Sequence, residues 1–127
     1  MRDIIAVKKV RFIGGKVMAV NILDSDSLRG HIETFILSVL LDGPQYGGEI
    51  RKLIAKKTNG IYQLNEQSLY SACHRMEEYR LIKGRWGDES QGATRKYYEI
   101  TDEGRKAYAA NKAKWQTVKQ LIDILIG

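Results

Sequence analysis

The chain of 127 residues is long enough for one core and too short for two, since single domains usually take about 100 to 150 residues. Its 43% hydrophobic and 28% charged residues are ordinary for a globular protein, no apolar run reaches the length of a membrane span, and the one cysteine, Cys73, excludes an intrachain disulfide and a cysteine-built metal cage. With no secretory pattern at the N-terminus and a formal charge of +6, the composition fits a soluble protein of a reducing cytoplasm whose partner is acidic.

Residues 1–26 read as an extension without regular structure, in which Arg2, Lys8, Lys9, Arg11 and Lys16 stand against Asp3 alone over the first 17 positions. The stretch Phe12-Ile13-Gly14-Gly15-Lys16-Val17 shows neither a helical nor an alternating apolar period. Gly-Gly-Lys-Val ahead of a methionine is also what a purine-rich ribosome-binding site would encode, so translation is expected to begin at Met18. The alternative is a basic arm that touches DNA phosphates.

From Ser27, Leu28, Ile32, Phe35, Ile36, Val39 and Leu40 fall at helical spacing until Gly43-Pro44 stops the run. A second, basic helix is predicted from about Gly47 to Thr58, with Asn59-Gly60 as its stop. The third begins at the N-cap Asn65, with Glu66 suiting the helix dipole, and runs to about Tyr79. Two strand-like runs, 81–86 and 95–100, flank the polar, turn-rich segment 87–94. Thr101 then caps a last helix that continues without a breaker to Ile126. The order helix, helix, helix, hairpin, helix predicts a mainly α fold with a β-hairpin: a winged helix-turn-helix over 27–101 and a C-terminal dimerisation helix over 102–127.

On the third helix, Leu69, Ala72, Cys73 and Met76 share one face, which predicts their burial. The other face presents Gln67, Ser71, His74 and Glu78, flanked by Ser68, Tyr70 and Arg75. Gln pairs with adenine, Arg with guanine or phosphate, and Ser and His donate or accept, so this face suits a major groove; the plainer alternative is a solvated surface. The hairpin weighs against that alternative. Residues 51–96 hold ten basic and five acidic residues, and Arg95-Lys96-Tyr97-Tyr98 sets two cations beside two aromatics, one of which alternation sends into the core. Arg95 and Lys96, with Gln91 and Thr94 at the tip, are placed to reach phosphates or a minor groove.

Along the last helix Tyr108, Trp115, Val118, Ile122 and Leu125 recur at spacings of seven, three, four and three, a heptad-like seam that implies a homodimer. With Phe35, the residues Tyr108, Trp115, Val118 and Ile122 form the candidate effector site or dimer core. For Trp115 both roles stay open, because aromatic bulk serves either.

From Leu28 to Gly127 the sequence resembles the PadR family of transcriptional regulators. The resemblance rests on Leu28-Arg29-Gly30 with Glu33, Tyr46-Gly47, Leu69-Tyr70, Arg75-Met76-Glu77, Leu81-Ile82, and Trp86-Gly-Asp-Glu-Ser-Gln-Gly92 leading to Arg95-Lys96-Tyr97-Tyr98-Glu99-Ile100-Thr101 with Gly104. It implies a homodimeric repressor on a palindromic double-stranded DNA operator, released by a small, often aromatic effector, with Tyr46 added to the DNA-binding set. A single helix after the wing is similar to the small subfamily, in which some members sense drugs and a tryptophan of this helix stacks on planar ligands. It implies no cofactor, metal or membrane. Gly48, Arg80, His31 and His74 depart from the family pattern.

Two other classes compete. Catalysis has only His31, His74 and Cys73 as unusual candidates, with no phosphate loop, metal-spaced histidine pair or serine elbow, so no enzyme is expected. A winged-helix adaptor that binds proteins rather than DNA would be marked by an acidic reading face, and this one is neutral to basic.

Overall fold

The structure, a computed structural model, describes residues 8–13, 16–21, 28, 30–87 and 95–127. In chain order these form β1 (Lys8–Ile13), β2 (Lys16–Asn21), α1 (Ile32–Leu40), β3 (Gln45–Tyr46), α2 (Gly47–Lys57), α3 (Glu66–Glu78), β4 (Ile82–Trp86), β5 (Lys96–Ile100) and α4 (Asp102–Leu125). This is the winged helix-turn-helix with a C-terminal helix that the apolar spacing predicts.

The core is where helical periodicity places it. Ile36, Leu37, Val39 and Leu40 of α1, Ile50 and Ile54 of α2, and Leu69, Ala72, Cys73 and Met76 of α3 close over Ile82, Tyr98 and Ile100 of the sheet, with Leu64 between α2 and α3. Removing this apolar surface from water is the main favourable contribution to folding, at about 25 cal/mol per Å².

Local signals explain the helix boundaries. Asn65 caps α3, its side-chain oxygen accepting from the Ser68 amide at 2.8 Å, and Thr101 caps α4 by accepting from the Gly104 amide at 3.0 Å. The Thr101 hydroxyl lies 2.7 Å and 2.9 Å from the carbonyls of Arg80 and Leu81, so one residue starts α4 and ties it to the end of α3. Gly104 is buried at this joint, and a Cβ there would overlap the Leu81 carbonyl. Both α2 and α3 end in a Schellman turn: Asn59 at φ 53 and Arg80 at φ 63 take the left-handed position, while Gly60 and Leu81 donate back to Ala55 and Met76. Arginine is unusual there, because its Cβ opposes a left-handed backbone.

Three expectations are corrected. The first helix does not run unbroken from Ser27: Gly30 at φ +89 interrupts it, the His31 amide bonds back to the Leu28 carbonyl at 2.9 Å, and α1 starts at Ile32. The wing sheet has a third strand, β3, so the order is β3-β5-β4 with β5 central, Tyr46 opposite Tyr97 and Gly84 opposite Tyr98. Two residues are too few to leave an alternation in the sequence.

The third lies over 8–21, where an irregular extension was expected. There β1 and β2 pair antiparallel as a sheet of their own, from Lys8 opposite Asn21 to Ile13 opposite Lys16. The signal was local: β-branched and aromatic residues on both sides of Gly14-Gly15, a dipeptide suited to a two-residue hairpin connection.

Candidate nucleic-acid interface and aromatic cavity

Helix α3 separates its faces cleanly. Leu69, Ala72, Cys73 and Met76 have no exposed surface, while Gln67, Tyr70, Ser71, His74, Arg75 and Glu78 are exposed on the other side. Ser68 is half-buried, its amide held by the Asn65 cap. Burial, then the nearby Glu77 carboxylate, pushes the Cys73 thiol up to about 12, against a smaller lowering by Lys96. A neutral thiol in the core is no nucleophile near neutral pH.

The cations expected on DNA fall into two groups. The Arg75 Nε donates to Glu33 Oε2 of α1 at 3.0 Å, and the Lys96 ammonium lies 3.1 Å from Glu77 Oε1, its side chain only 29% exposed. On the same face of β5 as the buried Tyr98, Lys96 also lies 5.5 Å from that ring and 5.9 Å from Trp86. Arg95 is different. It is exposed and stacks over Tyr46, 4.5 Å from the ring centre, while Tyr46 meets Tyr97 edge-on at 5.8 Å and Arg85 covers the other tyrosine at 5.8 Å. Two arginines thus stand on an aromatic shelf at the open face of the sheet. His74 sits one helical turn from Glu78, 3.6 Å between their side chains. Gln91 and Thr94 lie outside the described residues.

The start of α3 and the wing meet at Gly47, where a Cβ would collide with the Tyr70 ring. Tyr46, Tyr70, Trp86, Arg95 and Lys96 border a hollow of about 390 Å³ there. Arg85 and the 67% exposed Trp86 were not among the DNA-binding residues expected from sequence. Alternation along 82–86 placed Arg85 opposite Ile82 in facing, the one signal that was available.

A second cavity, about 470 Å³, opens between α1 and α4. It gathers four of the five residues named from the heptad-like seam and α1: Phe35, Tyr108, Trp115 and Val118. Ile122 lies outside it, exposed one turn further on. Asn111 donates to the Thr34 hydroxyl at 3.0 Å and holds the two helices together at the cavity wall. The wall also includes His31, which stacks on Phe35 at 6.2 Å and meets Trp115 edge-on at 5.5 Å. Sequence reasoning set His31 aside, because no local spacing tied it to a residue 84 positions later. Below the cavity α4 leaves Val118, Leu121, Ile122, Ile124 and Leu125 exposed.

Among known proteins, the model of the transcriptional regulator PadR-like family matches residues 36–110. A protein of Lysinibacillus sphaericus is 41% identical over 103 residues, 80% of this chain and 94% of its own length. A transcriptional regulator of Clostridium thermocellum is similar in structure with a TM-score of 0.76 and 40% identity, over 83% of this chain and 99% of the other. A PadR-like transcriptional regulator of Bacillus cereus gives a TM-score of 0.67 at 33% identity, over 81% of this chain and 99% of the other. Among the described residues no helix is long and apolar enough to cross a membrane.

Proposed function

This chain belongs to the PadR-like family of transcriptional regulators, DNA-binding proteins as a class, and from that premise we propose that it is a homodimeric repressor of a palindromic operator, released by a planar aromatic effector. The observation that carries the reading is the exposed polar face of α3, Gln67, Ser71 and His74, beside Arg95 on its tyrosine shelf. In this reading residues 27–101 form the DNA-binding unit. Helix α3 enters the major groove, and Arg85 and Arg95 engage phosphates on its flank. The apolar residues that α4 leaves exposed pair with those of a second copy, and the two-fold axis of such a dimer is what a palindrome mirrors.

Release needs a link between cavity and reading helix, and α1 supplies one. It carries Phe35 and Thr34 on the cavity wall and Glu33, whose carboxylate holds Arg75 of α3. A ring that inserts between α1 and α4 shifts both the dimer helix and the support of α3, which changes the separation of the two reading helices.

Fluorescence anisotropy with the gene's own upstream DNA, at two salt concentrations and with or without a planar aromatic compound, tests the whole reading. Tight binding that weakens with salt and is reversed by the compound is expected. A dimer of Trp115→Ala that still binds DNA but no longer responds assigns the effector role to Trp115. An unimpaired response in that variant moves the role to Phe35 and Tyr108. Absence of DNA binding even at low salt would leave the protein-binding adaptor as the better account.

A further inference from the structure

The wing hairpin is fastened to the domain at two levels. At its base the Thr101 hydroxyl and amide meet the carbonyls of Arg80 and Leu81, and Ile82, Tyr98 and Ile100 are buried in the core. Further out, the inward side of β5 turns from apolar to charged. Two residues beyond Tyr98 and on the same face, the Lys96 ammonium lies 3.1 Å from Glu77 Oε1 of α3, the two side chains only 29% and 27% exposed. At about 3.3 Å per residue this second attachment stands about 16 Å from Thr101 along β5. One attachment gives a hairpin a pivot, and a second at that distance fixes its angle.

The pair can form because Gly84 lies between its partners. Lys96 belongs to β5 and Glu77 to α3, and β4 runs past both with Gly84 opposite Tyr98 and Trp86 opposite Lys96. A Cβ at Gly84 would collide with the Lys96 Cε and would come within 2.7 Å of Glu77 Oε2. The backbone of Gly84 is not left-handed, so conformational freedom is not what glycine supplies here. It supplies space. Glycine in a strand interior weakens the strand and marks a place where another group must approach closely, which here is the lysine stem crossing β4.

We infer that Glu77 and Gly84 are positioning residues for DNA binding, which clasp Lys96 and thereby fix the angle of the wing against α3. The inference rests on the proposed reading in which α3 and the wing meet DNA together. Arg85 follows Gly84 and Arg95 precedes Lys96, so the two arginines assigned to phosphates in that reading flank the clasp. Their placement relative to Gln67 and Ser71 depends on its closure, since a binding surface is only as well placed as the contacts that support it. Lys96 is then an internal strut rather than a phosphate contact.

The two roles of Lys96 predict opposite signs for one substitution, Glu77→Gln. The full chain carrying it is titrated by anisotropy against the gene's own upstream DNA at several salt concentrations, at a temperature where circular dichroism shows it folded. If Lys96 were a phosphate contact held back by Glu77, losing the carboxylate would tighten binding and steepen its salt dependence. The clasp predicts the reverse: binding about fivefold weaker, despite the gain in positive charge, with the salt slope of the unaltered chain. Gly84→Ala changes no charge and should cause a similar loss, and the double variant should lose little more, because both open the same contact. Should Gly84→Ala not fold, Lys96→Met takes its place in the cycle and should weaken binding without lowering the slope. Amide hydrogen exchange reads the clasp without DNA, and in Glu77→Gln it should quicken at residues 84–86 more than in α1. Tighter binding by Glu77→Gln, unchanged binding in both single variants, or additive losses would overturn the inference and leave the DNA reading in place. If the unaltered chain binds no DNA even at low salt, the reading and the inference fall together.

Discussion

Two helices of this protein carry apolar residues at helical spacing and use them in opposite ways. Over 13 residues α3 buries four side chains completely, whereas α4, at 24 residues, buries only Gly104. The inner face of α3 is satisfied within one chain, and its outer face is polar and exposed. Beyond Asn111 the apolar side of α4 is largely exposed, and its exposed set, Trp115 with Val118, Leu121, Ile122 and Leu125, is larger than a lone surface helix presents. Periodicity alone marks both helices as amphipathic. Only burial tells which one folds the domain and which one leaves its apolar face exposed.

That contrast can be broken from either side. Placing a charge in the seam with Val118→Asp and Ile122→Asp should abolish dimerisation, since an unpaired charge in such an interface costs several kcal/mol. Sedimentation equilibrium should then show monomers with unchanged far-UV circular dichroism, and a variant that unfolds instead would make α4 part of the domain core. Leu69→Ala should lower the stability of the domain by about 2 to 5 kcal/mol in chemical denaturation, leaving the self-association proposed for α4 in place.

The two groups of cations sharpen the contrast within the surface proposed to meet DNA. Arg95→Ala should weaken DNA binding across sequences and reduce the slope of log affinity on log salt by about 1, as expected for one lost phosphate contact. Lys96→Ala should instead cost about 1 kcal/mol of stability, because it strands the Glu77 carboxylate, and should change the salt slope less. Equal slope changes in both variants would show that the Glu77 pair opens on DNA.

Arg80→Gly should stabilise the protein by about 0.5 to 1 kcal/mol, since glycine adopts the left-handed turn at φ 63 without opposition from a Cβ. Deleting residues 1–17 removes β1 and should have the least effect on the thermal midpoint, because β1 and β2 pair as a sheet of their own and, among the described side chains, the buried core cluster is drawn from residues 36–100. A collapse of the midpoint would mean that the N-terminal hairpin supports that core.

The local features of this fold were legible one residue at a time. Asn65 and Thr101 announced their helices because a cap acts on amides three residues away, and the inner face of α3 could be named because burial repeats with the helical turn. The hairpin over 8–21 was equally local and was misread, its strands passed over because their apolar residues do not alternate strictly. Other features have no local code. Strand β3 exists because Gln45 and Tyr46 find Tyr98 and Tyr97 far along the chain.

The division among the cations is of the same kind. Arg75 and Lys96 looked as available as Arg95, until carboxylates 42 and 19 positions away claimed them. The sequence by itself therefore determined the order of elements, their caps and the residues that face inward, all of which depend on neighbours within a turn or two. The tertiary structure alone decided that Arg75 and Lys96 meet carboxylates and that His31 joins Trp115 across a cavity, because ion pairs and ring contacts depend on distance in space rather than separation along the chain.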